Sequence, residues 1–198
     1  MRTLSKGMSG EDVKTLQRAL GCVVDGAFGR LTEGAVIGFQ ALHGLVADGI
    51  VGKATWRALG VTQRSITEII VHCTATKEGQ DVTTSQIDAW HRQRGFRCIG
   101  YHWVIYRDGS VHAGRNVDEV GAHCTNHNAH SIGVCYVGGL ASDAKTPKDT
   151  RTLAQKAALL DLIRRLKRIY PKAVVHGHRD WANKACPSFD ATKEYKDI

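Results

Sequence analysis

Residue types suited to hold a metal ion occur at two places far apart in the sequence. His72 lies in the apolar run 69–73, and His178 and Cys186 lie near the end of the chain. Two imidazoles and a thiolate form a three-ligand set that a catalytic zinc ion can use while its fourth position holds water. Lys184 lies two residues before Cys186, so in an extended segment both side chains point to the same side. A cation beside a metal is suited to stabilise an oxyanion, as a hydrolase requires.

His176 competes with His178 for the metal role, because it lies two residues earlier and could face the same way. His72 falls at the end of a predicted buried strand, and His178 follows the end of another. Strand ends are where a sheet can present side chains to a cleft. Isolated His and Cys residues are more often packed or surface residues, so spacing alone leaves a structural role open as well.

Strand and helix signals alternate in the later part of the chain. The strand signals span 68–73, 101–107 with 110–113, 131–137 and 173–175, and a helix signal spans 84–94. Thr84 or Ser85 is the predicted cap of that helix. The Asp108-Gly109 pair predicts a hairpin turn, and the apolar run 131–137 predicts a central strand.

The longest helix signal spans 152–170 and is stopped by Pro171. Strands and helices in this order predict an α/β or α+β domain, a mixed sheet flanked by helices. The predicted inner face of the long helix comprises Leu153, Ala157, Leu160, Ile163 or Leu166, and Tyr170.

The first part of the chain contains an internal repeat. The pattern Asp-Gly-x-x-Gly-x-x-Thr occurs at 25–32 and again at 48–55. Asp-Gly marks a tight turn, the second Gly permits positive φ, and Thr can cap the helix that follows. A capping-box-like start at 9–12 precedes the first copy. These signals predict a small three-helix all-α domain that ends near Gly60. Its apolar stripes are Val13, Leu16 and Leu20, then Ala35, Val36, Phe39 and Leu42.

Composition indicates a globular protein. The chain has 198 residues, of which 42% are hydrophobic and 23% charged. Its six cysteines form no Cys-x-x-Cys pair, so we expect them to be mostly reduced and buried. The net charge of +8 favours polyanionic partners such as nucleic acid, cell-wall polymers or membrane surfaces without selecting among them.

The same sequence bears on cellular location and assembly. It contains no apolar stretch long enough to span a membrane, and residues 1–7 lack the apolar run of a secretory signal. We therefore expect no stable membrane insertion, retention at first in a host cytoplasm, and a monomer. The predicted domains are 1–62 and 63–198.

Residues 4–59 resemble the type 1 peptidoglycan-binding domain. The matching positions are Gly10 with Asp12-Val13, Leu16-Gln17, both Asp-Gly-x-x-Gly turns, Phe39-Gln40 and Thr55-Trp56. The resemblance implies that peptidoglycan is a partner of the first domain. Binding would use the grooves between the turns.

Residues 68–190 resemble the zinc-dependent N-acetylmuramoyl-L-alanine amidases. The matching segments are IVHCTAT at 70–76, GYH at 100–102, RDG at 107–109, GR at 114–115, SIGVC at 131–135, VGG at 137–139 and KACPSFD at 184–190. The resemblance implies one Zn²⁺ per chain, bound by His72, His178 and Cys186. It favours His178 over His176, because Gly177-His178-Arg179-Asp180 matches the family's Gly-His-x-Asp pattern.

The resemblance also implies roles for four further residues. Tyr101 and Lys184 would be catalytic: Lys184 would stabilise the oxyanion, and Tyr101 would donate a hydrogen bond to it or help transfer a proton to the leaving amine. His123 and Asn128 match substrate-binding positions. The family has Gly-Tyr where this chain has Asn126-His127, a difference within the loop that would contact substrate.

The implied function is hydrolysis of the amide bond between N-acetylmuramic acid and L-alanine by a zinc-activated water, leading to bacterial lysis. One alternative is a non-catalytic peptidoglycan recognition module, but such modules typically lack the cysteine ligand. A second is a cysteine peptidase of the cell wall, with Cys186 as nucleophile at a helix start and His178 as base. Nucleic-acid binding would rest on charge alone, without a recognition motif, and is not expected.

Overall fold

The computed structural model describes residues 2–61 and 64–198. The chain divides into two compact units, Met1–Gln63 and Arg64–Ile198. The predicted domain boundary between residues 62 and 63 lies outside the described residues. Within those ranges, no helix is long and apolar enough to cross a membrane.

The first unit contains helices α1 (Glu11–Leu20), α2 (Arg30–Leu42) and α3 (Lys53–Ala58), so the prediction of a three-helix domain is confirmed. Its buried core consists of Leu4, Val13, Leu16, Phe28, Val36, Val51 and Trp56. Leu42 was predicted to be on the buried stripe, and this is wrong, because its side chain is 83% exposed. Leu42 lies about 200° around α2 from the buried Gln40, which places it on the opposite face.

The first Asp-Gly turn is organised by one buried glutamine. Gln17 donates through Nε2 to Asp25 Oδ1 at 2.7 Å and to Thr32 Oγ1 at 3.0 Å. Its Oε1 accepts from the Gly26 N–H at 2.9 Å. Gln40 makes the corresponding bonds in the second turn, so the sequence repeat is also a repeat of hydrogen bonds.

The threonines of the two turns do not cap the helices, contrary to prediction. The N-caps of α2 and α3 are Gly29 and Gly52. Thr32 and Thr55 instead lie within the first helical turn, are nearly fully buried, and accept hydrogen bonds from the two glutamines. Burial of an unpaired amide is costly, so each hydroxyl serves the glutamine rather than the helix end. Gly10 likewise caps α1 without a side-chain hydrogen bond, so no capping box forms there.

The second unit is a mixed sheet flanked by helices, as predicted. Its elements are β1 (Glu68–Cys73), β2 (Thr76–Lys77), α4 (Thr84–Gln93), β3 (Trp103–Ile105), β4 (Val111–Ala113), β5 (Ser131–Tyr136), β6 (Gly139–Leu140), α5 (Leu153–Ile169), β7 (Val174–Gly177) and α6 (Ala191–Glu194). The main sheet has the order β4-β3-β5-β1-β7, with only β3 and β4 antiparallel. The predicted hairpin and the central position of β5 are therefore confirmed.

Two helix details differ from the prediction. Thr83, and not Thr84 or Ser85, caps α4 in a capping box with Gln86. In α5 the buried residues are Gln155, Leu159, Leu162, Ile163 and Leu166, whereas Leu153 is 87% exposed. Ile163 and Leu166 are buried as predicted, and Leu160 and Tyr170 pack against the core. The prediction is wrong for Leu153 and Ala157, which are exposed. It also omits Gln155, which turns inward and donates to the carbonyls of Ile105 and Val137.

The sheet explains why distant ligands can meet. β1 pairs in parallel with both β5 and β7. His72 is next to the last residue of β1, and His178 directly follows β7. Since parallel strands end at the same edge of a sheet, both histidines are brought to that edge.

Arg151 fixes the segment that follows Cys186. Its side chain is 1% exposed and forms bidentate contacts with Glu194 at 2.8 and 2.9 Å. It also bonds Asp149 at 2.9 Å and lies 3.2 Å from the centre of the Phe189 ring. These contacts join the segment before α5 to α6. They therefore restrain the backbone that carries Cys186.

We expect Arg151→Lys to lower the free energy of unfolding of the second unit by about 2 kcal/mol, because a lysine cannot keep the bidentate charged hydrogen bonds. Hydrogen exchange at the amides of β1 and β5 measures this free energy. The matched control is Arg165→Lys, since Arg165 and its partner Asp161 are 54% and 61% exposed. That change should stay within about 0.5 kcal/mol. Equal effects of the two substitutions would contradict this account.

Candidate active site

Three potential metal ligands converge at the edge of the sheet. The ligand atoms of His72, His178 and Cys186 all lie within 4.8 Å of one another. His72 Nδ1 is 3.9 Å from Cys186 Sγ, and the two imidazole centres are 4.5 Å apart. Tetrahedral zinc with ordinary Zn–N and Zn–S distances separates nitrogen and sulfur by about 3.6 Å. The three side chains therefore fit such an ion with little movement.

The protonation states of these groups also fit. Burial lowers the pKa of both His72 and His178, so both imidazoles are neutral and offer lone pairs. The Cys73 thiol and burial raise the pKa of the Cys186 thiol, so a metal ion would have to displace its proton. The Cys73 backbone N–H donates to Cys186 Sγ at 3.3 Å, a bond that favours the thiolate once formed.

His176 lies outside this cluster. It is part of β7, in register with Ile70 of β1. Its ring contacts Trp181 at a centroid distance of 4.9 Å, and its Nδ1 lies 3.8 Å from an oxygen of Asp180. Of the two histidines that the sequence left in competition, the structure brings only His178 to His72.

A chain of hydrogen bonds orients the His72 ring. His72 Nε2 lies 3.1 Å from His123 Nδ1, and His123 Nε2 lies 3.4 Å from Ser131 Oγ. The Ser131 hydroxyl donates to the His127 carbonyl at 2.7 Å, so towards His123 it can only accept. His123 therefore donates from Nε2 and accepts at Nδ1. His72 must carry its proton on Nε2, which leaves the lone pair of Nδ1 directed at Cys186.

Two glycines enclose the His123 ring. A Cβ atom on Gly121 or on Gly133 would lie 2.5 Å from His123 Cδ2, closer than real contacts allow. The loop itself is fixed by Asn128, whose Oδ1 accepts from the backbone N–H groups of His123 and Cys124 at 2.8 and 2.9 Å. His123 and Asn128, predicted to bind substrate, thus also support His72 from behind.

A cavity of about 360 Å³ opens beside the ligand cluster. Tyr101 lies on its wall, with its ring 5.1 Å from that of His72. Burial raises the pKa of Tyr101, so its phenol stays protonated and can donate. The lining residues are His91, Arg94, Phe96, Tyr101, Ala122, His123, Cys124, Thr125, Asn128, His178 and Lys184.

Lys184 reaches the cavity by a different geometry from the predicted one. The backbone from Trp181 to Cys186 forms turns, with the Lys184 N–H bonded to the Ala182 carbonyl at 2.7 Å. The expected extended segment is therefore absent, yet the exposed Lys184 still lines the same cavity as His178. No described helix begins at Cys186, since α6 begins at Ala191.

Ser131 and Arg64 support the site but were not predicted to do so. Ser131 lies in a predicted strand and in the SIGVC segment that matches the amidases, but neither signal indicates its hydrogen bond to His123. Arg64 donates to the carbonyls of Val117, Glu119, Asn128, Ala129 and Ser131. One half-buried guanidinium thus holds the loop that carries His123.

A His, His, Cys cluster beside a polar cavity is suited to metal-assisted hydrolysis. Residues 62–189 match the family described as N-acetylmuramoyl-L-alanine amidase, and residues 9–59 match a peptidoglycan binding domain family. The chain therefore belongs to the N-acetylmuramoyl-L-alanine amidase family. It is a peptidoglycan hydrolase with an N-terminal peptidoglycan-binding domain.

Individual relatives agree with this assignment. The endolysin of Escherichia phage T7 is 45% identical over 129 residues, covering 65% of this chain and 85% of the relative. The endolysin of Enterobacteria phage K11 is 44% identical over 135 residues, covering 68% of this chain and 88% of the relative. Among solved structures, the amidase LysC from Clostridium intestinale matches with a TM-score of 0.57 and 29% identity, covering 66% of this chain and 81% of that one. Drosophila PGRP-LB shares the fold, with a TM-score of 0.56 and 22% identity. The match covers 68% of this chain and 82% of that one.

We expect Gly133→Ala to displace the His123 ring, because the added Cβ meets the ring and not a flexible side-chain end. The free energy of unfolding measured by hydrogen exchange in β5 should fall by about 1–3 kcal/mol. The control is Gly34→Ala in α2, where an added Cβ meets nothing within 4 Å. Exchange in α2 should then slow slightly, since alanine is the better helix former. Unchanged exchange in β5 of the Gly133→Ala protein would contradict the enclosure of His123.

Proposed function

We propose that the amidase reaction takes place at the cluster of His72, His178 and Cys186, which would hold one zinc ion per chain. The observation that carries this proposal is the convergence of two neutral imidazoles and one thiol within 4.8 Å, at the wall of a cavity. A zinc ion held there would supply a water of lowered pKa and would polarise the scissile carbonyl. The family is generally zinc-dependent, which supports the choice of metal.

Lys184 and Tyr101 are the proposed catalytic side chains. The Lys184 ammonium lines the same cavity as His178 and would stabilise negative charge on the carbonyl oxygen of the muramoyl-alanine amide. Tyr101 remains a neutral phenol, so it would donate a hydrogen bond to that oxygen or a proton towards the leaving amine. Two donors on one cavity wall would favour the tetrahedral transition state over the planar substrate.

His123 and Asn128 are the proposed substrate-binding residues. Both line the cavity, where they would contact the glycan or stem peptide. Their hydrogen bonds already position His72 and the loop behind it. Substrate contact and ligand orientation would therefore be coupled through the same two residues.

The proposed working unit is a single chain, because every ligand and every cavity residue named above belongs to residues 64–198 of one chain. The first unit would hold this catalytic unit on the wall polymer, as its match to a peptidoglycan binding domain supports. The phage endolysins among the relatives support a role in host lysis. The enzyme would then be kept in the host cytoplasm until it is released to the cell wall.

We expect Cys186→Ser to lose bound zinc and cleavage together, because the site would keep only two of its three ligands. Elemental analysis should find about one zinc per chain fewer in Cys186→Ser than in the unaltered protein. Digested peptidoglycan should show new free L-alanine amino groups and intact glycan strands. New reducing ends in place of free amines would contradict the proposed reaction.

Two control substitutions separate metal binding from catalysis. His176→Ala should keep both zinc and activity, because His176 faces Trp181 and not the cluster. Lys184→Ala should keep zinc but lose about 10²- to 10³-fold in rate, the usual cost of removing one oxyanion donor. Loss of zinc in the Lys184→Ala protein would argue against its catalytic role.

A further inference from the structure

A second group of metal-ligating side chains lies at the opposite end of β1 from His72. Glu68 Oε2 is 2.9 Å from His127 Nδ1 and 3.4 Å from His130 Nε2. The three ligand atoms all lie within 4.8 Å of one another. This group shares no residue with the cluster of His72, His178 and Cys186.

We propose that Glu68, His127 and His130 form a second metal site that binds a divalent transition-metal ion of the zinc class. Two imidazoles and one carboxylate suit zinc, cobalt or nickel better than calcium or magnesium, which take oxygen ligands. In tetrahedral zinc, ligand atoms at about 2.05 Å from the metal lie about 3.3 Å apart. The two contacts of Glu68 are close to that separation, and the two histidine ligand atoms lie within 4.8 Å of each other.

The backbone holds these ligands in place before any ion arrives. Glu68 begins β1 and is paired with Ser131 of β5 and Val174 of β7. The Thr67 N–H donates to the His130 carbonyl at 2.9 Å, which ties the two ligand-bearing segments together. A site whose ligands are already ordered loses little conformational entropy on binding.

Arg64 and Trp181 fix the histidine-bearing turn from two sides. Arg64 donates to the carbonyls of Asn128 and Ala129, at 2.6 and 3.3 Å, and so restrains the turn between the two histidines. The His127 ring stacks on Trp181 at a centroid distance of 4.2 Å, with 24° between the planes. The stacking holds the His127 ring with its Nδ1 close to Glu68.

The site is open enough for an ion to enter from solvent. The side chain of His130 is 40% exposed, whereas those of His127 and Glu68 are 20% and 13% exposed. One face therefore remains accessible for a water ligand, and the two better buried ligands form the base.

The second site is linked to the hydrogen-bond chain of the first through a backbone carbonyl. The His127 carbonyl accepts from the Ser131 hydroxyl, which in turn faces His123. An ion bound to His127 would therefore also restrain the His127 carbonyl, the last acceptor in the series of hydrogen bonds that orients His72.

The test is a cobalt titration of the metal-free full chain, followed by absorption spectroscopy. A thiolate ligand gives a sulfur-to-cobalt charge-transfer band, whereas a His₂Glu site does not, so the two sites are distinguished by spectrum. We expect two cobalt equivalents in the unaltered protein. We expect one in Cys186→Ser, without the thiolate band.

Glu68→Gln and His130→Ala should each keep the thiolate band, which also shows that the protein is folded. Each should weaken the affinity for the second cobalt ion by more than about 100-fold. Loss of a group that only hydrogen-bonds a metal ligand already lowers metal affinity about 10- to 100-fold. The control is His43→Ala, at an exposed histidine of the first unit, which should still bind two cobalt ions per chain. Absence of a cobalt equivalent in Cys186→Ser would overturn the second site. Retention of the second equivalent in both Glu68→Gln and His130→Ala would do so as well.

Discussion

The active site depends on the burial of one imidazole. His72 is 1% exposed, so each of its ring nitrogens needs a partner inside the protein. His123 satisfies one nitrogen, and the proposed metal ion beside Cys186 would satisfy the other. The Ser131 hydroxyl donates to the His127 carbonyl. This fixes which atom donates in each hydrogen bond that links Ser131, His123 and His72. The ring is therefore oriented and restricted to one tautomer before substrate arrives.

The rest of the catalytic unit serves this arrangement. Parallel pairing of β1 with β7 brings His72 and His178 to one edge of the sheet. Gly121 and Gly133 leave room for the His123 ring, and Arg64 binds the carbonyls of the loop behind it. Arg151 restrains the segment after Cys186, which forms no strand or helix of its own until α6. Cys186, the ligand on irregular backbone, is thus held by side chains rather than by secondary structure.

Much of the fold was predictable because its signals are local. The alternating strand and helix patterns, the Asp-Gly turns and the central apolar strand all correspond to observed elements. Errors arose where a polar side chain had a distant partner. Thr32 was expected to cap a helix but bonds Gln17, and Gln155 turns inward to carbonyls of β3 and the residue after β5. Gln155 therefore lies on the inner face of α5, where only apolar residues and Tyr170 were predicted.

The site was predictable only in part for the same reason. Resemblance to the amidases pointed to His72, His178 and Cys186, and these residues lie together. The hydrogen bond between His72 and His123 joins residues 51 positions apart, and no sequence pattern reports such a pairing. The group of Glu68, His127 and His130 likewise depends on β1 lying beside the turn that precedes β5.

The most direct measurement is nitrogen NMR of the histidine side chains in the zinc-loaded protein. Proton–nitrogen correlations identify which ring nitrogen of each histidine carries the proton. The account predicts that His72 is protonated on Nε2 and that His123 is protonated on Nε2 as well, with Nδ1 of His72 bound to the metal. A His72 ring protonated on Nδ1, or bound to zinc through Nε2, would contradict it.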